Sequence, residues 1–364
     1  MHSKSSKLRA GDWVEVRSKE EILATLDGEG RLDGMPFMPE MFAFCGKTFP
    51  VYKRAHKTCD TVFPVRGRRV ASAVHLETRC DGSAHGGCQA SCLLFWKDAW
   101  LKPILRGSNR AESQRMADDD GAVSALARLL CEESRVWDGT QKGDPTDGST
   151  MYVCQATQLP YATTDLDWWD IRQYAEDYLS GNVGLWRIFC GAVYALSYAL
   201  SWAGIGLGRP IRWFYDTFHA LWRGTPFPRR NGTIPEGQPT PAEILNLQPG
   251  ELVRVKSHKE ILKTLNTKNR NRGLYWDAEE VPFCGRTYRV LKRVTKIINE
   301  RTGKMRETKS PCILLDSAMC QARYSECRYF CPRSIYSFFH EIWLERIEPK
   351  PLTARTERDS RGAA

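Results

Sequence analysis

Thirteen cysteines stand in this 364-residue chain, and six of them fall into two short clusters. Arg79–Cys92, RCDGSAHGGCQASC, places Cys80, Cys88 and Cys92 at C-x7-C-x3-C spacing, and Met319–Cys331, MCQARYSECRYFC, places Cys320, Cys327 and Cys331 at C-x6-C-x3-C spacing. Each cluster has one upstream partner in a matching context, Cys45 in FCGKTFPVYKR and Cys284 in FCGRTYRVLKR. Four thiolates satisfy a tetrahedral Zn²⁺ or hold an iron–sulfur cluster, because soft sulfur suits both and neutralises much of the metal's charge. The expected ligand sets are therefore Cys45, Cys80, Cys88 and Cys92, and Cys284, Cys320, Cys327 and Cys331, holding zinc at two sites or iron–sulfur clusters. Neither spacing is the C-x2-C knuckle of zinc ribbons or a ferredoxin run, so the metal stays open between the two. Cys59, Cys131, Cys154, Cys190 and Cys312 have no counterpart in the other copy and read as small buried hydrophobes.

His85, inside SAHGGC, is the candidate cofactor-binding residue, since the second cluster has Tyr324 and Ser325 in that region. Asp81, His75 and Glu77 are further titratable groups nearby, for which solvated loop positions are the competing reading. Gly82, Gly86 and Gly87 would let the loop turn tightly round an ion. Asp98 and Glu341 hold matching places in the closing element and are expected to face water. There is no phosphate-binding glycine loop, nucleophile elbow, HExxH or CxxC pair, so no reaction is written in the chain and catalytic residues are not assigned.

The elements that position these cysteines repeat. From Gly11–Arg54 to Gly250–Arg293 the chain matches itself without a gap at an offset of 239 residues, GDWVEVRSKEEILATL facing GELVRVKSHKEILKTL. WVEVRS and LVRVKS alternate at period two, as half-buried strands do. Ser18 with Glu21 and Ser257 with Glu260 then form capping boxes that open short helices. TFPVYKR and TYRVLKR predict second strands, and FWKDAWL and FFHEIWL close each copy as an aromatic strand or short helix. The fold class expected is α+β: two related small β-rich modules of SH3-like barrel type with cysteine loops, joined by a helical spacer.

The domain reading is a first cysteine-rich module over 1–105, an insertion with helices over 106–183, an apolar helical hairpin over 184–223, a Pro/Gly linker over 224–248, a second module over 249–350 and a polar tail over 351–364. VSALARLLCEESRVW and Trp168–Tyr178 are the helical runs of the insertion. The uncharged run Ile188–Gly208 is compatible with a buried hairpin, an interfacial one or a membrane span. A single crossing would put the two cysteine modules on opposite sides of a membrane, which argues against a span. Leu291–Lys309 reads as a basic hairpin turning at Thr302-Gly303 that suits either a phosphate backbone or a solvated edge.

A net charge of +10 makes nucleic acid, an anionic lipid surface or an acidic protein the charge-compatible partners. The N-terminus lacks an apolar signal segment, and thirteen cysteines, an odd number, fit a reducing compartment better than a disulfide framework. The expected location is the cytoplasm, peripheral to the membrane if the hairpin is interfacial.

The strings VHLETRCDGSAHGGCQASCLLFWKDAWL and YSECRYFCPRSIYSFFHEIWLERI resemble an uncharacterised family of bacterial proteins that carry one or both cysteine modules. The resemblance covers most of the chain, brings no assigned activity, and implies an accessory role in a bacterial cytoplasm. The leading functional reading is an accessory metal-binding protein whose two four-cysteine sites support an interaction scaffold for a protein partner. The alternatives are an iron–sulfur redox enzyme or electron carrier in a biosynthetic pathway, and a nucleic-acid-binding protein.

Overall fold

The computed structural model describes residues 7–62, 66–104, 131–203, 206–222 and 224–347. The elements used below are, in chain order, β1 (Trp13–Val16), α1 (Lys19–Leu23), β2 (Thr48–Arg54), β3 (Lys57–Cys59), β4 (Gly67–Arg69), β5 (Ala73–Arg79), β6 (Leu93–Lys97), β7 (Leu101–Pro103), α2 (Gln155–Ala162), β8 (Thr164–Leu166), α3 (Arg172–Leu179), α4 (Leu185–Trp202), α5 (Gly208–Leu221), β9 (Leu252–Val255), α6 (His258–Leu262), β10 (Thr287–Ile298), β11 (Met305–Met319), β12 (Tyr336–Phe339) and β13 (Leu344–Arg346). The architecture mixes helix and strand and is rich in β-sheet.

Two five-stranded antiparallel sheets carry it, ordered β6-β5-β2-β1-β7 and β12-β11-β10-β9-β13. Their registers match: Val14 lies opposite Phe49 and Val253 opposite Tyr288, while Val16 faces Leu101 and Val255 faces Leu344. The period-two pattern explains the packing, because Val14, Val16, Val253 and Val255 all turn inward and are fully buried. Both expected capping boxes form: the Ser18 and Ser257 hydroxyls accept from Glu21 and Glu260 N–H, and the glutamates accept from the serine N–H groups. The closing aromatics are part strand and part 3₁₀ turn. Trp100 and Trp343 are buried and donate their indole N–H to Thr25 and Thr264 at 3.0 Å, tying each closing turn to the segment after the short helix.

Asp98 and Glu341 are not water-facing positions. Asp98 accepts from the Arg54 guanidinium at 2.7 and 2.8 Å, and Glu341 accepts from Arg293 at 2.7 Å and from the N–H groups of Leu245 and Leu247. Each carboxylate neutralises a buried or half-buried arginine, Arg54 on β2 and its match Arg293 on β10, which a solvent-facing side chain would leave uncompensated.

The segment between the sheets does not stand apart from them. Val136 and Leu159 belong to the first sheet's core, and β8 pairs with β4 in a three-stranded sheet ordered β8-β4-β3. Of the run VSALARLLCEESRVW, only the end is among the described residues, where Glu133–Asp138 form a helix. The tail over 351–364 lies outside the described residues. α4 and α5 follow each other and pack together. Their inner tyrosines, Tyr194, Tyr198 and Tyr215, meet Phe227, Tyr324 and Phe330. Gly191 permits that seat, since a Cβ there would stand 2.5 Å from the Phe330 ring. Among the described residues no helix is long and apolar enough to cross a membrane.

Candidate metal centre at the seam between the sheets

The two cysteine loops correspond through their backbone bonds, and the correspondence differs from the spacing. Cys80 N–H donates to Cys92 carbonyl as Cys320 N–H donates to Ile335 carbonyl, Gly87 to Gly82 as Phe330 to Ala322, and Cys88 to His85 as Cys331 to Arg328. Cys88 therefore matches Cys331, Cys92 matches Ile335, and His85 matches Arg328. The loop turns on Gly82, whose φ is 77° and where a Cβ would overlap the Cys88 carbonyl at 2.1 Å, so only glycine fits.

Each loop is held by the other copy of the repeat. Lys57, at the start of β3, donates to the Tyr329 carbonyl at 2.8 Å, and Lys296, its match 239 residues on, donates to the Gly86 carbonyl at 2.9 Å. Cys59 N–H points at the Cys331 sulfur at 3.1 Å, and Ile298 N–H, again its match, points at the Cys88 sulfur at 3.4 Å. Thr61 and Glu300, also a matched pair, hydrogen-bond directly to each other across the seam. These reciprocal contacts give the seam the form of an isologous interface inside one chain.

Four thiols meet beside it. Cys80, Cys88, Cys92 and Cys154 line one cavity of about 30 Å³, together with His85, Ile298 and Arg333. The thiols are electrostatic neighbours of one another, Cys80 of Cys92 and Cys154, and Cys88 of Cys92 and Cys154. Cys154 arrives at the N-terminus of α2, which is docked by the next residue. The buried Gln155 amide accepts from Phe95 N–H at 2.8 Å and donates to Phe95 carbonyl at 2.9 Å, standing in for a neighbouring strand at the edge of β6. Burial pushes the Cys92 thiol up to about 12 and the Cys154 thiol up to about 11, and burial beside Glu40 also raises Cys80. Thiols held protonated in a dry pocket ionise when a cation supplies the missing charge.

Cys45 is not brought to this cavity. It follows a 3₁₀ turn, packs against the first sheet's core, and has Glu20 and Lys19 as its charged neighbours. Cys284 likewise packs against the second core, its thiol pushed up to about 12 by burial beside Glu280. Cys327 sits in a turn at φ 60° beside Glu326 and Arg328, with no thiol among its electrostatic neighbours. Cys320 and Cys331 do come together, and the third thiol with them is Cys59, from β3; all three line a second cavity of about 210 Å³. The contact between Cys59 and Cys331 lowers Cys59 and raises Cys331, so the pair holds its proton on Cys331. Arg333 lines both cavities. All thirteen cysteines are free thiols.

Among the described residues, the one group of three ligand atoms within 4.8 Å of one another is Glu40, Cys80 and His85. Its bonds give it a structural role. Glu40 accepts from His85 Nδ1 at 2.7 Å and from Ala84 N–H at 3.2 Å, and the matching Glu279 accepts from Tyr324 N–H and Ser325 hydroxyl in the other loop. His85 Nε2 donates to the Val153 carbonyl at 3.1 Å, so both ring nitrogens are engaged with acceptors. His85 thus lines the cavity without turning a lone pair into it. His75 lies in the core of the first sheet against Phe95, its Nδ1 donating to the Leu94 carbonyl at 2.8 Å. No protein-family model and no curated protein matches this chain.

Proposed function

We propose that the protein is an accessory metalloprotein whose metal is held by Cys80, Cys88, Cys92 and Cys154. The observation that carries this is the convergence of four thiols, from a strand end, a loop and a separate helix N-terminus, on one cavity. A set of soft ligands from distant segments is the donor set that zinc and iron share.

The spacing of the sulfurs supports an iron–sulfur cluster over a single zinc ion. A Zn–S bond of about 2.3 Å places the four sulfurs of a tetrahedron about 3.8 Å apart. No three cysteine sulfurs among the described residues lie within 4.8 Å of one another. In a cluster the thiolates divide among several irons and stand farther apart. Such a centre joins the first sheet, α2 and the β10–β11 hairpin.

The rest of the reading keeps the accessory role. Two five-stranded antiparallel sheets with short capped helices fit small SH3-like modules, and the outer faces of α4 and α5, with Trp186, Phe189, Trp213, Phe214 and Trp222 exposed, are the surface for a protein partner. Free thiols throughout suit a reducing cytoplasm. Nucleic-acid binding through the basic hairpin loses support, because Lys296 is bonded to Gly86 carbonyl and Lys304 is paired with Asp144 and Asp147.

Purification without oxygen, followed by an absorption spectrum and metal analysis, tests the reading. Broad absorption at roughly 400 nm with iron and inorganic sulfide bound in about equal amounts is expected. One zinc in a colourless protein would overturn the cluster, and a stable protein with no bound metal would overturn the centre.

A further inference from the structure

We propose that Cys59 and Cys331 form a thiol–disulfide exchange centre that acts on small disulfides carrying carboxylates. The two residues lie 272 apart in the chain, one on β3 and the other in the second cysteine loop, yet the Cys59 amide donates to the Cys331 sulfur at 3.1 Å and both residues line one cavity. The matching contact on the other side of the seam joins Ile298 to Cys88, so only one of the two equivalent places carries a thiol pair. The proposal is independent of the metal reading, whose four ligands do not include either residue.

The pair has the asymmetry such chemistry needs. Cys59 is half-buried and lines the 210 Å³ cavity, while Cys331 is 6 % exposed and sits behind it. Arg328 and Arg333 supply positive charge beside Cys59, which favours its thiolate. Arg333 is neutralised by Glu300 at 2.8 Å. Arg328 has no ion pair among the described residues, and its Nε is buried without a hydrogen-bond partner. A guanidinium left unpaired on a cavity wall is a receptor for a carboxylate. In the first loop the matching residue is His85, already engaged on both nitrogens, so the open receptor belongs to this cavity alone.

The reaction balances without another oxidant. The Cys59 thiolate attacks one sulfur of the substrate disulfide RSSR; the S–S bond breaks, and RS⁻ leaves and takes up a proton. Cys331, losing its proton, then attacks the Cys59 sulfur of the mixed disulfide and releases the second RSH. The substrate gains two electrons and two protons as two thiols, and the protein keeps a Cys59–Cys331 disulfide. An external dithiol reverses the step.

The test uses the full-length protein, reduced and handled without oxygen, with oxidised glutathione as the probe. Alkylation and peptide mapping should find the Cys59–Cys331 cross-link and two reduced glutathiones released per cross-link. This measurement needs no variant, so it stands even where a cysteine change weakens folding. Cys331→Ser should trap one glutathione on Cys59, Cys59→Ser should abolish glutathione release, and Cys320→Ser should retain it. Arg328→Gln should slow the reaction with oxidised glutathione about tenfold more than that with cystamine, which has no carboxylate and feels only the lost charge beside Cys59. A wild-type cross-link elsewhere, or no cross-link, would overturn the exchange centre; equal slowing with both probes would overturn the carboxylate specificity.

Discussion

The ammonium of Lys57 lies 2.6 Å from the Asp177 carboxylate, and both side chains are almost completely buried. Asp177 comes from α3, so this ion pair fixes α3 against β3, while the third bond of Lys57, to the Tyr329 carbonyl, carries the second cysteine loop. Removing one member of a buried pair leaves an uncompensated charge. Lys57→Met is expected to cost about 3–5 kcal/mol and to loosen the Cys331 loop. Chemical denaturation and hydrogen exchange at residues 329–331 check this, and Lys57→Met with Asp177→Leu together should recover much of the loss.

Gln155 replaces a strand at the edge of β6 by bonding both polar groups of Phe95. Gln155→Leu leaves a buried N–H and a carbonyl without partners, at about 1–3 kcal/mol each. The same change should free α2 and carry Cys154 away from the other three thiols. Stability from denaturation and bound metal per chain should fall together.

Three histidines titrate below their ordinary value of 6.5 because burial disfavours the imidazolium: His75 to about 3, and His258 and His340 to about 4. The folded state therefore binds fewer protons than the unfolded state between the folded and unfolded values. The stability these groups contribute is present above 6.5 and is lost as pH falls toward the folded values. Each histidine adds up to about 1.4 kcal/mol per pH unit in that window. Urea midpoints should drop between pH 7 and pH 4.5, and His75→Gln should flatten the slope by up to one proton.

At the candidate metal centre burial holds Cys80, Cys92 and Cys154 protonated, with Cys92 at about 12 and Cys154 at about 11. Metal binding must displace those protons, so affinity should weaken as pH falls. Reconstitution of metal-free protein with ferrous iron and sulfide should yield less cluster, read by its visible absorption, at about pH 6 than at about pH 8. Equal yield at both would mean that the thiols were already ionised.

The strands, caps and closing aromatics were legible because each rests on a local pattern. Val14 and Val253 alternate with polar neighbours, and Ser18 and Ser257 have glutamate three residues on. The ligand set was legible in part, since Cys80, Cys88 and Cys92 are close in sequence. Matching the two clusters by cysteine order misaligned them. The closing strings FWKDAWL and FFHEIWL, counted backward, place Cys88 on Cys331 and Cys92 on Ile335, as the backbone bonds do. Cys154 left no such trace, because its position depends on how Gln155 docks a helix from a separate segment. Cys59 reads as a small buried hydrophobe because its match is Ile298, and only the seam between the two copies brings that position to the partner loop.

The account turns on Cys154, and not Cys45, completing the metal centre. Iron, zinc and sulfide should be measured in protein purified without oxygen as wild type, Cys154→Ser and Cys45→Ser, each verified as folded by circular dichroism. The account predicts that Cys154→Ser loses the metal of the centre while Cys45→Ser keeps it. Retention in Cys154→Ser with loss in Cys45→Ser would contradict it.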